Sequence, residues 1–197
     1  NAPTSISIQP AGSIICANTN TSFTVVATGV SLTYQWQVST NGGASYINLT
    51  TNAPYSGVNT TTLVITAASV TLNGNLYRCV IGSACTPLNS TAATLTVNTT
   101  PIITVQPSNN GVCAANSVTF TVAATGGGLS YQWQESTNGG GTFNNIPGAI
   151  SSSYTFVATL VQNGYQYRCV ISGACTPAAT SAAAILTVGS SLIINSQ

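Results

Sequence analysis

The sequence predicts an all-β protein built from two copies of one domain, and three observations carry that reading. First, Tyr34-Gln35-Trp36-Gln37 returns as Tyr131-Gln132-Trp133-Gln134, and Tyr77-Arg78-Cys79-Val80-Ile81 returns as Tyr167-Arg168-Cys169-Val170-Ile171. The offset is 97 residues at the tryptophans (36 to 133) and 90 at the cysteines (79 to 169), far longer than the repeat of a solenoid. Second, the apolar residues fall in short alternating runs rich in Val, Ile, Tyr and Thr, residues that suit a half-buried pleated surface. Third, Gly- and Asn-rich turn signals separate those runs.

In the first copy the predicted strands are 5–9, 22–27, 32–38, 62–66, 76–81 and 92–97, with turns at Asn41-Gly42-Gly43 and Asn73-Gly74. In the second they are 117–124, 129–135, 154–157, 165–171 and 182–188, with Asn138-Gly139-Gly140 and Asn163-Gly164 between them. The stretches 67–73 and 158–163 are the places for a short helical turn. The copies begin alike, Ile6-Ser7-Ile8-Gln9-Pro10 against Ile103-Thr104-Val105-Gln106-Pro107. This sets the domains at 1–98 and 99–189, joined by a linker of about four residues, too short for a free coil. Beyond Leu186-Thr187-Val188, Leu192-Ile193-Ile194 fall in register with Pro101-Ile102-Ile103. Residues 190–197 therefore read as the first strand of a further repeat, or as a strand donated to a neighbouring subunit. The opening Asn1-Ala2-Pro3, without Met or a basic leader, reads as a mature or excised segment.

Composition removes whole classes of function. The ionic side chains are Arg78, Arg168 and Glu135, and the chain has no Asp, Lys or His. A lone glutamate supplies neither a general acid–base pair nor a triad. It supplies no calcium cage either, and the cysteines have no CxxC spacing for zinc. The expectation is no enzyme activity, no catalytic residues, no metal and no cofactor. Two arginines do not neutralise a nucleic-acid backbone, and no apolar run reaches the ~20 residues of a spanning helix, so neither nucleic-acid binding nor membrane insertion is expected. A net charge of +1 leaves little electrostatic protection against self-association. Six cysteines, three per copy at equivalent places, point to an oxidising, extracellular compartment.

Trp36 on an alternating strand, and Tyr77 two residues before Cys79, resemble the core strand and tyrosine corner of immunoglobulin-like sandwiches. The wider pattern runs Cys…Phe-Thr-Val…Ala-Thr-Gly…Tyr-Gln-Trp-Gln…Asn-Gly-Gly…Tyr-Arg-Cys-Val-Ile…Ala-Cys…Leu-Thr-Val. It is similar to immunoglobulin-like repeats in large secreted surface proteins of gliding and biofilm-forming bacteria. The resemblance implies two tandem immunoglobulin-like β-sandwiches. It also exposes a departure: the partner that an inter-sheet bridge would give Cys79 or Cys169 is a valine, Val25 or Val122. Those two cysteines are either free thiols acting as small hydrophobes or pair with Cys16 or Cys113.

The remaining cysteines admit two maps. One bridges each domain internally, Cys16 with Cys85 and Cys113 with Cys175. In the implied sandwich, however, the turn after the first strand and the last hairpin loop lie at opposite ends, about 23 Å apart for a seven-residue strand, against the ~7 Å a disulfide spans between Cα atoms. The other map joins Cys16 to Cys175 across the junction and leaves Cys85 and Cys113 at the tips, placed to bridge neighbouring subunits.

The resulting expectation is an extracellular or cell-surface structural and adhesive protein whose partner is itself, assembled end to end, with Leu192, Ile193 and Ile194 as assembly residues. The alternative is a module binding a glycan or cell surface through the loop aromatics Tyr46, Tyr55 and Phe143. Trp36 and Trp133 are assigned to the core rather than to sugar stacking.

Overall fold

The computed structural model describes residues 3–83 and 86–190. The chain divides into two compact units, Asn1–Thr99 and Thr100–Gln197. The segment carrying Leu192, Ile193 and Ile194 lies outside the described residues.

In unit one the strands are β1 (Ser5–Ile8), β2 (Ser13–Cys16), β3 (Thr21–Thr24), β4 (Val26–Thr28), β5 (Thr33–Ser39), β6 (Ile47–Asn48), β7 (Tyr55–Ser56), β8 (Thr62–Ile65), β9 (Leu76–Gly82), β10 (Leu88–Asn89) and β11 (Ala93–Asn98). Unit two continues with β12 (Ile102–Val105), β13 (Asn110–Cys113), β14 (Ser117–Thr121), β15 (Ala123–Thr125), β16 (Ser130–Ser136), β17 (Asn144–Asn145), β18 (Ser153–Val157), β19 (Gln166–Ser172), β20 (Ala179–Thr180) and β21 (Ala184–Gly189). The expected helical turns are single 3₁₀ turns, Val70–Leu72 and Leu160–Gln162.

Each unit is a β-sandwich. One layer of unit one runs β2-β11-β9-β5-β6, with β10 also on β9; the other holds β3-β8-β7 and the β1-β4 pair. Unit two repeats this as β13-β21-β19-β16-β17 against β14-β18 and β12-β15. The alternation that predicted strands is the alternation that builds the core: β9 reads intermediate–buried throughout, its inward Tyr77, Cys79 and Ile81 all fully buried. Trp36 sits opposite Cys79 in the β5–β9 ladder, and Trp133 opposite Cys169. Both indoles are fully buried, and each spends its single donor on a backbone carbonyl across the sandwich, Nε1 to Thr60 O at 3.0 Å and to Ser151 O at 2.9 Å. A buried Trp needs that partner.

Several short strands fall outside the predicted runs, among them β2, β6, β7, β10, β13, β17 and β20. The sequence places a turn after the first strand, near Cys16, yet β2 pairs in parallel with β11, Leu95 to Ser13 through Asn98 to Cys16. The chain first pairs β1 with β4, breaks at Gln9-Pro10, where proline has no N–H to donate, and re-enters the opposite layer. Unit two does the same with β13 on β21. The predicted strand 22–27 is likewise two pieces, β3 and β4, broken at Val25. Another of these, β7, lies in the connection after β6 and has no counterpart in unit two.

Candidate functional site

The outward face of the β5–β9 sheet carries the arginines, as alternation with the inward Cys79 and Cys169 requires. Arg78 Nε donates to Gln37 Oε1 at 2.8 Å, and Gln37 Nε2 donates to Asn48 Oδ1 at 2.8 Å. Its guanidinium carbon lies 3.8 Å from the ring centre of Tyr46. Unit two rebuilds the same chain: Arg168 Nε to Gln134 Oε1, Gln134 Nε2 to Asn145 Oδ1, both 2.8 Å, with the guanidinium 3.9 Å over Phe143. Such a stack contributes ~0.5–1 kcal/mol at an exposed site. The chemical consequence is that Tyr46 and Phe143, two of the three aromatics expected to meet a glycan, each have a ring face covered by a guanidinium.

The turn that delivers these aromatics is also duplicated. Ser39 Oγ donates to Asn41 Oδ1 and accepts from Gly43 N, while Asn41 Oδ1 accepts from Ser45 N. Gly42 and Gly43 take φ of +68° and +93°, a left-handed pair that suits glycine. Ser136, Asn138, Gly139 and Gly140 repeat the arrangement.

Tyr55, the third aromatic, is different. It stands on β7, partly buried, its hydroxyl 3.3 Å from that of Tyr77 and its ring tilted at 57° to the Tyr77 ring. It walls an open cleft of about 450 Å³ whose other lining includes Val38, Leu49, Thr40, Asn48, Asn52 and Asn75. Burial and the neighbouring Tyr55 hydroxyl hold the Tyr77 phenol well above its ordinary range. The sequence signal for this cleft was the seven-residue shortening of the repeat offset. Most of it falls between Leu49 and Val58, which bond Trp36 as Ile146 and Ala149 bond Trp133.

Glu135 occupies the place of the buried Val38. It is partly buried, and its charge adds to burial in raising the phenols of Tyr154 and Tyr167. No group of three or more His, Cys, Asp or Glu able to hold a metal occurs among the described residues.

The cysteines divide. Cys79, Cys113 and Cys169 carry free thiols, the first and last buried and Cys113 exposed. Cys16 and Cys175 are disulfide-bonded, and Cys85 lies outside the described residues. This corrects Cys113 as a disulfide candidate, removes the internal Cys113–Cys175 bridge, and gives Cys79 and Cys169 the free-thiol alternative over a bridge. The physical reason at Cys79 and Cys169 is the missing opposite cysteine: each thiol packs in the apolar core, and its backbone N–H donates to a serine hydroxyl, Ser90 or Ser181, at 2.9 Å. Burial pushes the Cys79 thiol up to about 11 and raises that of Cys169, which keeps both protonated and unreactive.

Comparison with known proteins fits this picture of paired sandwiches. Residues 103–190, less than half of the chain, match a family model described as a domain of unknown function (DUF8696). Endoglucanase C of Cellulomonas fimi is 29% identical over 177 residues, covering 89% of this chain but only 15% of that protein's length. Among solved structures, the titin I-band fragment I67–I69 superposes with a TM-score of 0.69 at 15% identity, covering 96% of this chain and 67% of that one. The Rst D1–D2 structure gives 0.68 at 14%, covering 94% and 99%, and a complex of Dpr11 IG1 with DIP-gamma gives 0.64 at 16%, covering 95% and 99%. At these identities the likeness establishes the fold: two tandem immunoglobulin-like sandwiches.

Proposed function

We propose that this chain is a segment of an extracellular array of immunoglobulin-like repeats, a non-enzymatic stalk that spaces and displays other parts of a longer surface or secreted protein and packs end to end with its neighbours. The observation that carries the reading is duplication of the exterior along with the core. The same Asn–Gln–Arg–aromatic chain and the same Ser–Asn–Gly–Gly turn stand on both units, and each aromatic in that chain has one ring face covered by a guanidinium. A module selected for one ligand has no need to reproduce the same surface twice. The chain's small share of the endoglucanase relative also suits a spacer role.

Two further elements belong to the proposal. The first is that some of the cysteines cross-link successive repeats; in support, Cys16 and Cys175 are disulfide-bonded whereas Cys79, Cys113 and Cys169 are thiols. Residues 190–197 start the next repeat or complete a neighbour's sheet, and the near-zero net charge favours such self-association. Non-reducing peptide mapping by mass spectrometry tests the first. One peptide pair joining Cys16 to Cys175 is expected, and a Cys16–Cys85 pair would remove the covalent stalk. Sedimentation with and without residues 190–197 tests the second, with loss of self-association expected on deletion.

A second reading, a carbohydrate-directed module, is favoured by the endoglucanase relative and by Tyr55, whose cleft has no equivalent in unit two.

A further inference from the structure

Unit one has something that its duplicate lacks. Eight residues separate Leu49 from Val58 where two separate Ile146 from Ala149, although all four make equivalent backbone bonds to the core tryptophans. The added length forms β7, pairs it with β8 as Tyr55 to Ile65 and Ser56 to Val64, and stands Tyr55 at the sandwich edge facing β6. The resulting cleft, about 450 Å³, falls within the roughly 300–1,000 Å³ of ligand sites. The short connection of unit two borders a cavity of about 340 Å³ instead, lined by Pro147, Ile150, Ser151 and Tyr154 among others, with no side-chain amide.

The lining chooses the ligand. Val38, Leu49 and the Tyr55 ring supply an apolar floor, and Asn52, Asn75, Thr40, Thr50 and Thr71 supply amides and hydroxyls around it. No charged side chain lines it, so nothing there compensates an ionic group, and desolvating one would cost several kcal/mol. An aromatic wall beside amides and hydroxyls suits a ligand with apolar C–H faces and many neutral hydroxyls. We propose that the β6–β7 cleft of unit one is a binding site for a short stretch of neutral polysaccharide, with Tyr55 as the stacking platform and Asn52 and Asn75 as hydroxyl-directed contacts. This rests on the carbohydrate-directed reading above and makes its site and ligand specific; it is separate from the stalk, since a stalk without any ligand remains a stalk.

The test is a titration of the whole 197-residue chain, ¹⁵N-labelled, with neutral tetrasaccharides of β-glucan, xylan and α-glucan type, followed by backbone amide shifts. Saturable shifts are expected around Tyr55, Asn52 and Asn75 and not at the unit-two connection. Tyr55→Ala should weaken binding at least about tenfold, equivalent to ~1.4 kcal/mol, while Tyr46→Ala leaves it unchanged. Because Tyr55 also packs against Tyr77, a second variant, Thr40→Trp, fills the cleft mouth from an exposed position and should abolish binding with the fold's spectrum intact. The proposal is overturned if no neutral sugar gives saturable shifts, if shifts appear equally on both units, if Thr40→Trp binds as well as the parent, or if an uncharged Thr/Asn peptide binds there and the sugars do not. Peptide mapping of the disulfide reports separately on the stalk.

Discussion

The two units are the same sandwich with different edges, and the contrast separates what the fold demands from what one copy has added. Position for position the demands coincide: Trp36 and Trp133, Cys79 and Cys169 with their serines, Arg78 and Arg168 with their glutamines. The additions do not. Unit one has β7 and the Tyr55 cleft; unit two has Glu135 where unit one keeps Val38, and a stacked core of Phe120, Tyr154, Phe156 and Tyr167 with ring centres as close as 4.8 Å. In unit one Leu63 and Ile65 hold the places of Tyr154 and Phe156, since Phe23 pairs with Leu63 as Phe120 pairs with Tyr154. Unit two therefore fills with aromatic rings the space that unit one fills with aliphatic chains.

The most damaging way to test the shared part is to remove it from one copy at a time. Trp36→Ala and Trp133→Ala each delete the largest fully buried side chain of their unit and strand the carbonyl of Thr60 or Ser151. Each should cost about 3–5 kcal/mol, enough to unfold a marginal domain. In urea melts followed by the remaining tryptophan, the intact unit should keep its transition while the altered one unfolds early. Equal destabilisation of both units by either variant would contradict two separate cores.

Alkali gives the next largest effect and sharpens the comparison. An unfolded thiol ionises near pH 8.5 and an unfolded phenol near 10; folded, Cys79 is held to about 11, and Tyr77, Cys169 and Tyr167 are also raised. Above about pH 8.5 the unfolded chain has released protons that the native chain still holds, so stability falls as pH rises from there through the folded values. The buried Cys79 thiol alone accounts for ~2–3 kcal/mol by pH 11. At neutral pH iodoacetamide should modify the exposed Cys113 and spare Cys79 and Cys169 until urea is added. In unit two part of the phenol shift comes from Glu135, so Glu135→Val should lower the titration of Tyr154 and Tyr167, read by ultraviolet difference spectra, and leave Tyr77 unmoved.

Much of this was legible in the sequence because it repeats. Alternation located the strands of the central sheet, and the paired Trp and Cys motifs fixed which residues face in. What escaped were features set by distant or unpatterned partners. Ser13–Cys16 is four residues long and becomes a strand through parallel pairing with β11, some eighty residues later, which local periodicity does not register. Asn110-Gly111-Val112-Cys113 carries even less β signal. Val25 looks like mid-strand yet marks the break between β3 and β4. The shortened offset announced an insertion without saying that it would set an aromatic in a cleft. The covering of Tyr46 and Phe143 had a visible signal that went unused: an arginine and a loop aromatic recur together in a chain with almost no other charge.

That last pairing gives the smallest effect and the finest comparison, since geometry is constant and only the ring changes. The guanidiniums lie 3.8 Å over Tyr46 and 3.9 Å over Phe143, each with the same 2.8 Å bond to a glutamine. Arg78→Ala and Arg168→Ala should each cost about 1 kcal/mol, combining the ring contact with a lost hydrogen bond. A double-mutant cycle isolates the ring term: coupling of Arg78 with Tyr46 and of Arg168 with Phe143 should each come out near 0.5–1 kcal/mol and agree within error, because attraction to the ring face does not need the phenol oxygen. Arg78→Lys keeps the charge but loses the planar group that stacks and donates at once, so it should recover less than half of the loss. Recovery of the full amount would make the contact a matter of charge alone. Coupling at Tyr46 but not at Phe143 would mean that the hydroxyl, and not the ring, holds the arginine, and that the two exteriors are alike in shape without being alike in cause.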